Sequence, residues 1–320
     1  MRITATIAAA LLTLMPVSAV AQEWPERPIT VIVPWSAGGG TDSTARALAA
    51  GLERDLGQTV NVVNQTGGGG LVGHLAIANA EPDGYTIGTV TIEIAMYRHQ
   101  GLDSINHESF SQIALYNTGA IGVHVRADSP YESISDLIEA AKADPGALKA
   151  SGAGRGGISH LAFAGLLATA ASDSSIVPWV PSEGSAPALQ QLTSGAIEVV
   201  ATTLAEVQAL RDAGEVRTLV LIANDRDSAY PDVPSVPEAL EVEFSPLFFR
   251  GVSGPAGIPD DIVKKLSDAV GRVTESAEFK DFMNTGGFNI DYKPAPEYAD
   301  FVIATDSTMK AALSAAGITE

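Results

Sequence analysis

The chain of 320 residues has no cysteine, so it holds neither a disulfide framework nor a lipid-anchoring lipobox cysteine. It is long enough to bury a core without such staples. Basic residues are scarce as well: 19 Lys and Arg stand against 38 Asp and Glu, a formal charge of −19. That balance argues against general affinity for nucleic acid or anionic membranes. It says little about a ligand, because a local nest of backbone N–H groups holds an anion even inside an acidic protein. Beyond the N-terminus, no apolar run approaches the ~20 residues that span a bilayer. There is no G-x-x-x-x-G-K-S/T phosphate loop, no G-x-S-x-G elbow and no H-E-x-x-H helix. His74, His99, His107, His124 and His160 lack paired metal-ligand spacing, so neither metal nor cofactor is expected.

What the chain does have begins with a leader. Arg2 precedes an apolar run over residues 3–17, and SAVAQ follows with Ala19 and Ala21 at A-x-A spacing. This predicts a secretory signal peptide over 1–21, cleaved after Ala21, and an exported, soluble, periplasmic product.

Strand and helix patterns then alternate. ITVIVPW (29–35) reads as a buried strand. Ala45, Leu48, Ala49, Leu52 and Leu56 follow as one apolar helical stripe that Gly57 stops. TVNVVNQ (59–65) and YTIGTVT (85–91) read as strands around a helix at 71–80. Such spacing predicts parallel crossovers and a sheet covered on both faces. The pattern resumes with strands at 122–126, 149–151, 176–180, 197–203 and 217–224, and helices at 133–143, 159–171, 186–194 and 204–213. A strand at 248–254 and two C-terminal helices complete it.

Glycine-rich loops recur at the strand ends, where ligands of open α/β sheets bind. They are WSAGGGTD (35–42), TGGGG (66–70), SGAGRGGISH (151–160) and PSEGS (181–185). Glycine lets N–H groups converge on a ligand, and first-turn helix amides add positive potential, a combination suited to a carboxylate or other small oxyanion. A single such loop reads more readily as a tight turn; the recurrence is what points to a site.

IVPWSAGGGTDSTAR, LGQTVNVVNQTGGGG, PDGYTIG, WVPSEGSAPALQQL and AYPDVPSVPEA together resemble the periplasmic solute-binding proteins of tripartite tricarboxylate transporters, the TctC or Bug family. The resemblance covers essentially the whole chain after the leader. It implies a type II periplasmic-binding-protein fold: two α/β lobes joined by crossing hinge strands, with a carboxylate enclosed between them. The lobes would be 22–121 plus 248–320, and 122–247. It further implies that Trp35, Ser36, Ala37, Gly38, Gly39, Thr41 and Asp42, with Thr91, face Ser151, Gly152, Gly154, Arg155 and Gly156. Trp179, Ser182, Glu183, Gly184 and Ser185 would line the second lobe. The implied partners are a small organic acid and the large and small integral membrane subunits of a transporter, with the receptor itself a monomer. The stretch 179–183 departs from the family's common pattern, as does Arg155. Arg155 suits either a distal ligand carboxylate or a solvated rim. Glu93 suits either an amino group of the ligand or a structural role.

Two other functions compete. Gly152, Gly154 and Gly157 satisfy G-x-G-x-x-G, but Asp173 falls before the next strand rather than at its end, and export separates the chain from nicotinamide pools, so NAD binding is not expected. An exported hydrolase of small carboxylates or esters would need Ser159 and His160 to act together, yet helix neighbours point apart.

Overall fold

The structure, a computed structural model, describes residues 24–318. The expected leader and the cleavage after Ala21 lie outside the described residues. Strand β1 (Ile29–Val33) leads into α1 (Gly40–Leu56), followed by β2 (Val60–Asn64), α2 (Leu71–Ala78) and β3 (Thr86–Thr91). β1 lies between β2 and β3, parallel to both. The predicted stripe of α1 is the buried one: Ala45, Leu48, Ala49 and Leu52 are each at most 3% exposed. Gly57 ends the helix at φ 67°, a conformation glycine adopts without strain, and donates its N–H to the Glu53 carbonyl.

Strand β4 (Phe110–Gly119) was not among the expected strands. Its polar residues and two register shifts against β9 (Phe248–Pro255) break the alternation that marks a strand. β9 runs antiparallel to both β3 and β4. With the two-residue β10 (Lys293–Pro294) they complete a six-stranded sheet, ordered β10-β4-β9-β3-β1-β2. Ala120 alone separates β4 from β5 (Ile121–Arg126), the first strand of a second sheet. That sheet adds β6 (Ala150–Ser151), β7 (Val199–Thr203) and β8 (Val216–Ile222), in the order β6-β7-β5-β8. It is mixed rather than parallel, since β5 pairs antiparallel with both neighbours.

The expected strand at 176–180 reduces to one bridge between Ala150 and Trp179. Pro178 and Pro181 lack the N–H groups a longer ladder needs. Around the second sheet lie α3 (Ile134–Ala143), α4 (Ile158–Ala171), α5 (Ser185–Thr193), α6 (Leu204–Asp212) and the short α7 (Val236–Leu240). α4 is apolar all round and correspondingly central: Leu161, Phe163, Leu166 and Leu167 are at most 1% exposed. After β9 come three helices rather than two: α8 (Asp260–Glu275), α9 (Ala277–Thr285) and α10 (Ala295–Ala315). α8 packs on α1 so closely that a Cβ on Gly51 would stand 2.3 Å from Val273. α10 touches both the first sheet and α4.

Two histidines sit inside this packing as neutral rings. His124 Nε2 donates to the Thr202 carbonyl at 3.0 Å, while Nδ1 accepts from the Thr218 hydroxyl at 2.9 Å. His74 Nε2 accepts the Thr91 N–H at 3.3 Å, and Nδ1 meets the Tyr97 hydroxyl at 2.8 Å; that hydroxyl in turn donates to the Gly69 carbonyl. Burial pushes His74 down to about 3 and His124 to about 4. A ring whose folded pKa is depressed favours the folded state above the unfolded value near 6.5, and that advantage is lost as pH falls. Each ring should therefore cost about 2 kcal/mol of stability between pH 7.5 and 5. Urea unfolding at both pH values tests this: His124→Gln should shrink the drop by about that amount. An unchanged drop would show that the ring is not held neutral.

Candidate ligand-binding site

The first turns of α1, α4, α5 and α6 face one another across the gap between the two sheets. Each follows a strand end or a glycine loop, so unsatisfied amides and the positive ends of four helices converge there. Between them lies a cavity of about 40 Å³, room for roughly three waters. The six-stranded side contributes Trp35, Ser36, Gly39, Gly40, Thr41, Thr91, Glu93 and Arg250. The other side contributes Gly152, Ser159, Gly184, Ser185, Thr202 and Glu206.

Two glutamates cap helices across the cleft. Glu206, on α6, accepts the Gly40 N–H of α1 at 2.9 Å and the Ser185 hydroxyl at 2.8 Å. Its other oxygen accepts from the Thr202 hydroxyl and from both the hydroxyl and the N–H of Thr203. Glu93, just past β3, accepts the Ile158 N–H of α4 at 3.0 Å and the Thr91 hydroxyl. Each lobe thus places a carboxylate on the first helical amide of the other. The second amides of those helices, on Thr41 and Ser159, precede the first helical bonds, which start at Ser43 and Leu161. Further contacts hold the cleft shut: Ser36 N–H donates to the Glu183 carbonyl at 2.9 Å, and Gln100 Nε2 to the Gly156 carbonyl at 2.8 Å.

Arg250 of β9 is the cation of the site and is 1% exposed. Its Nε donates to Thr41 Oγ1 at 2.9 Å, Nη1 to Asn117 Oδ1 at 2.7 Å, and Nη2 faces Glu206 Oε1 at 3.3 Å. The guanidinium also lies 4.3 Å from the Phe248 ring centroid. Burial lowers the Arg250 pKa against the opposing charge of Glu206. For Glu206, burial pushes the carboxyl up, but Arg250 and three hydroxyls outweigh it and hold the group below its ordinary value. Glu93 has no such neighbour in contact, and burial raises it despite the bonds from Thr91 and Ile158.

Of the residues expected from the sequence, Trp35, Ser36, Gly39, Thr41, Thr91, Gly152, Gly184 and Ser185 line the cavity. Ala37 and Gly38 are exposed beside it. Asp42 is buried but turned to the loop, accepting from Gly38 N–H, Arg46 and Asn64. Ser151 lies buried at the end of β6, outside the lining. Gly154 packs on the 66–70 loop: a Cβ there would come within 2.3 Å of Gly69 Cα. Gly156 donates to His160 and accepts from Gln100. The Arg155 guanidinium bonds the Trp179 carbonyl at 2.9 Å, and the Trp179 indole donates to the Ala153 carbonyl at 3.1 Å. Ser182 bonds the Gly184 carbonyl, and the Glu183 side chain is exposed.

Arg250 and Glu206 were absent from the sequence expectation. An arginine inside the apolar strand FFRGVSG was a legible signal of a buried charge. Glu206 stands three residues after Thr203, which reads as an ordinary capping box and is one. Its second role, on Gly40 across the cleft, depends on tertiary structure. Ser159 reaches the cavity, but His160 packs at a tilt against Trp179 with centroids 5.0 Å apart and accepts the Gly156 N–H. Burial, with the Arg155 charge, pushes that ring down to about 4. His160 is engaged away from the Ser159 hydroxyl.

This geometry has relatives. Residues 44–318 match the family described as tripartite tricarboxylate transporter family receptor, TctC. The chain is 32% identical over 274 residues to a UPF0065 protein of Bordetella pertussis, covering 84% of this chain and 83% of that one. It superposes on the periplasmic binding protein BugD with a TM-score of 0.86 at 25% identity, covering 92% of this chain and 99% of that one. MatC from Rhodopseudomonas palustris with bound malate gives a TM-score of 0.82 at 28% identity, covering 91% and 100%. The two sheets and their helices form the two α/β lobes of a type II periplasmic-binding-protein fold. The chain belongs to the TctC/Bug family of periplasmic solute-binding receptors of tripartite tricarboxylate transporters.

Proposed function

We propose that this protein is the periplasmic receptor that captures a small organic carboxylate between its lobes and hands it to the large and small membrane subunits of the transporter. The observation that carries the reading is the convergence of four helix first turns from both lobes on one buried cavity. The ligand carboxylate docks on backbone N–H groups there, those of Thr41 and Ser159 foremost, with the Ser36 hydroxyl, which is buried and has no hydrogen-bond partner. Malate, bound in MatC, a relative of the same architecture, is a small organic carboxylate. The lobes are taken as 22–121 plus 248–320, and 122–247. The one-residue link at Ala120 and the return of the chain at Phe248 support crossings there. The protein opens without ligand and closes on it, because a ligand touching both lobes binds the closed form better.

A thermal-shift screen against small organic acids should find a saturable ligand without turnover, and small-angle scattering should report a smaller radius of gyration on binding. Scattering identical with and without a bound ligand would refute the clamp. Binding should also alter tryptophan emission. Trp35→Phe should lose most of that change and Trp24→Phe almost none, since only Trp35 of the two lines the cavity. Gly39→Val would place its Cβ 3.0 Å from Ser185 Oγ, so calorimetry on the folded variant should find affinity reduced at least ~10-fold, about 1.4 kcal/mol. Unchanged affinity would remove that loop from the site.

A further inference from the structure

The charges inside and outside the cavity do not suit a ligand that is only an anion. The first helical amides of α1 and α4, where a ligand carboxylate would find its strongest donors, are already taken by Glu206 and Glu93. Glu206 is balanced by Arg250 at 3.3 Å. Glu93 has no cation in hydrogen-bond contact: it is 1% exposed, lines the cavity, and accepts from the Thr91 hydroxyl, the Ile158 N–H and its own backbone N–H, with the Arg250 charge acting only from a distance. These bonds leave part of the carboxylate's lone-pair capacity unused. A buried carboxylate without a cationic contact is costly until it takes up a proton or a cation joins it, and burial already pushes the Glu93 carboxyl upward.

A second observation agrees. Beside Gly39 and Ser185 the cavity adjoins a groove of about 630 Å³ that runs between the lobes. Asp212, Glu278 and Asp281 line it, all exposed, and no lysine or arginine is among its described lining residues. A dianion near this groove meets three exposed carboxylates, and the cavity lining beyond holds two carboxylates against one guanidinium.

Building on the carboxylate-receptor reading, we propose that the ligand carries a cationic nitrogen as well as a carboxylate, and that Glu93 is the residue that selects it. The ligand is a small zwitterion of the amino-acid class. Its carboxylate takes the remaining amides of Thr41 and Ser159 with the Ser36 hydroxyl, and its ammonium donates to the open side of the Glu93 carboxylate, a charge-assisted bond in a largely buried site. A ligand without the nitrogen leaves Glu93 buried and unpaired, so rejection of the wrong ligand comes from the cost imposed on the protein.

The test uses matched pairs that differ only in the amino group: L-alanine and propionate, L-aspartate and succinate, L-glutamate and glutarate. Thermal shift and calorimetry on the full mature protein should show binding of at least one amino acid, with its des-amino partner at least ~100-fold weaker. Glu93→Gln keeps an acceptor for the Ile158 N–H while removing the charge. It should unfold at a temperature no lower than wild type and lose most of the preference within the pair. A des-amino acid bound as tightly as its amino partner, or a preference that survives Glu93→Gln, overturns this inference and leaves the carboxylate receptor standing. If none of the six compounds binds but a larger acid library yields a ligand without nitrogen, the inference falls in the same way. If no organic acid of either kind binds, the receptor reading falls and takes the inference with it.

Discussion

Much of the closed arrangement hangs on a pair of carboxylates, each capping a helix of the opposite lobe. Glu206 holds the start of α1 and Glu93 the start of α4. A helix start buried without an acceptor for its first amides is unfavourable, and here the acceptor comes from the far side of the cleft. In this arrangement the helix starts are satisfied and the carboxylates are buried by the same contacts. Arg250 makes this tolerable for Glu206, because a buried ion pair survives only when its remaining bonding sites are also filled. β9, which carries Arg250, is the strand flanked by β3 and β4 in the first sheet, so the guanidinium sits on a rigid element.

The glycine loops serve two physical ends. At Gly39 and Gly184 the backbone lines the cavity, and side chains would intrude on Ser185 and Ser36. At Gly69 and Gly154 the missing side chains let the loops of the two lobes meet backbone to backbone. The 66–70 loop is tied down from below by the chain that runs from Thr91 through His74 and Tyr97 to the Gly69 carbonyl. The resemblance of SGAGRGG to a dinucleotide fingerprint has the same explanation. A Cβ on Gly152 would lie 2.1 Å from the Ala201 carbonyl oxygen, so that glycine answers to packing inside the lobe.

Thr91 links the cavity wall to the core. Its hydroxyl accepts from the Trp35 indole at 3.3 Å and donates to Glu93, and its N–H goes to His74. Trp35 is thereby fixed against the end of β3, and Glu93 is oriented toward α4. A change at the cavity floor is thus connected by hydrogen bonds to the loop that meets the other lobe.

The sequence by itself determined the elements whose signal is local. The apolar stripe of α1 and its Gly57 stop, the helices α3 to α6 of the second lobe, the glycine loops and the family resemblance were legible, because periodicity, caps and turns depend on residues a few positions apart; the short α7 inside a proline-rich stretch was not. β4 was hidden by its bulges, and the strand expected at 176–180 failed because two prolines limit it to one bridge. The capping box of Thr203 and Glu206 was readable, but its use as a clamp on Gly40, 166 positions away, was not. Nor could spacing tell which glycines face a cavity and which face another backbone, or that Arg155 turns to the Trp179 carbonyl. Those choices belong to tertiary structure, since they depend on which surfaces the two sheets present to each other across the gap between them.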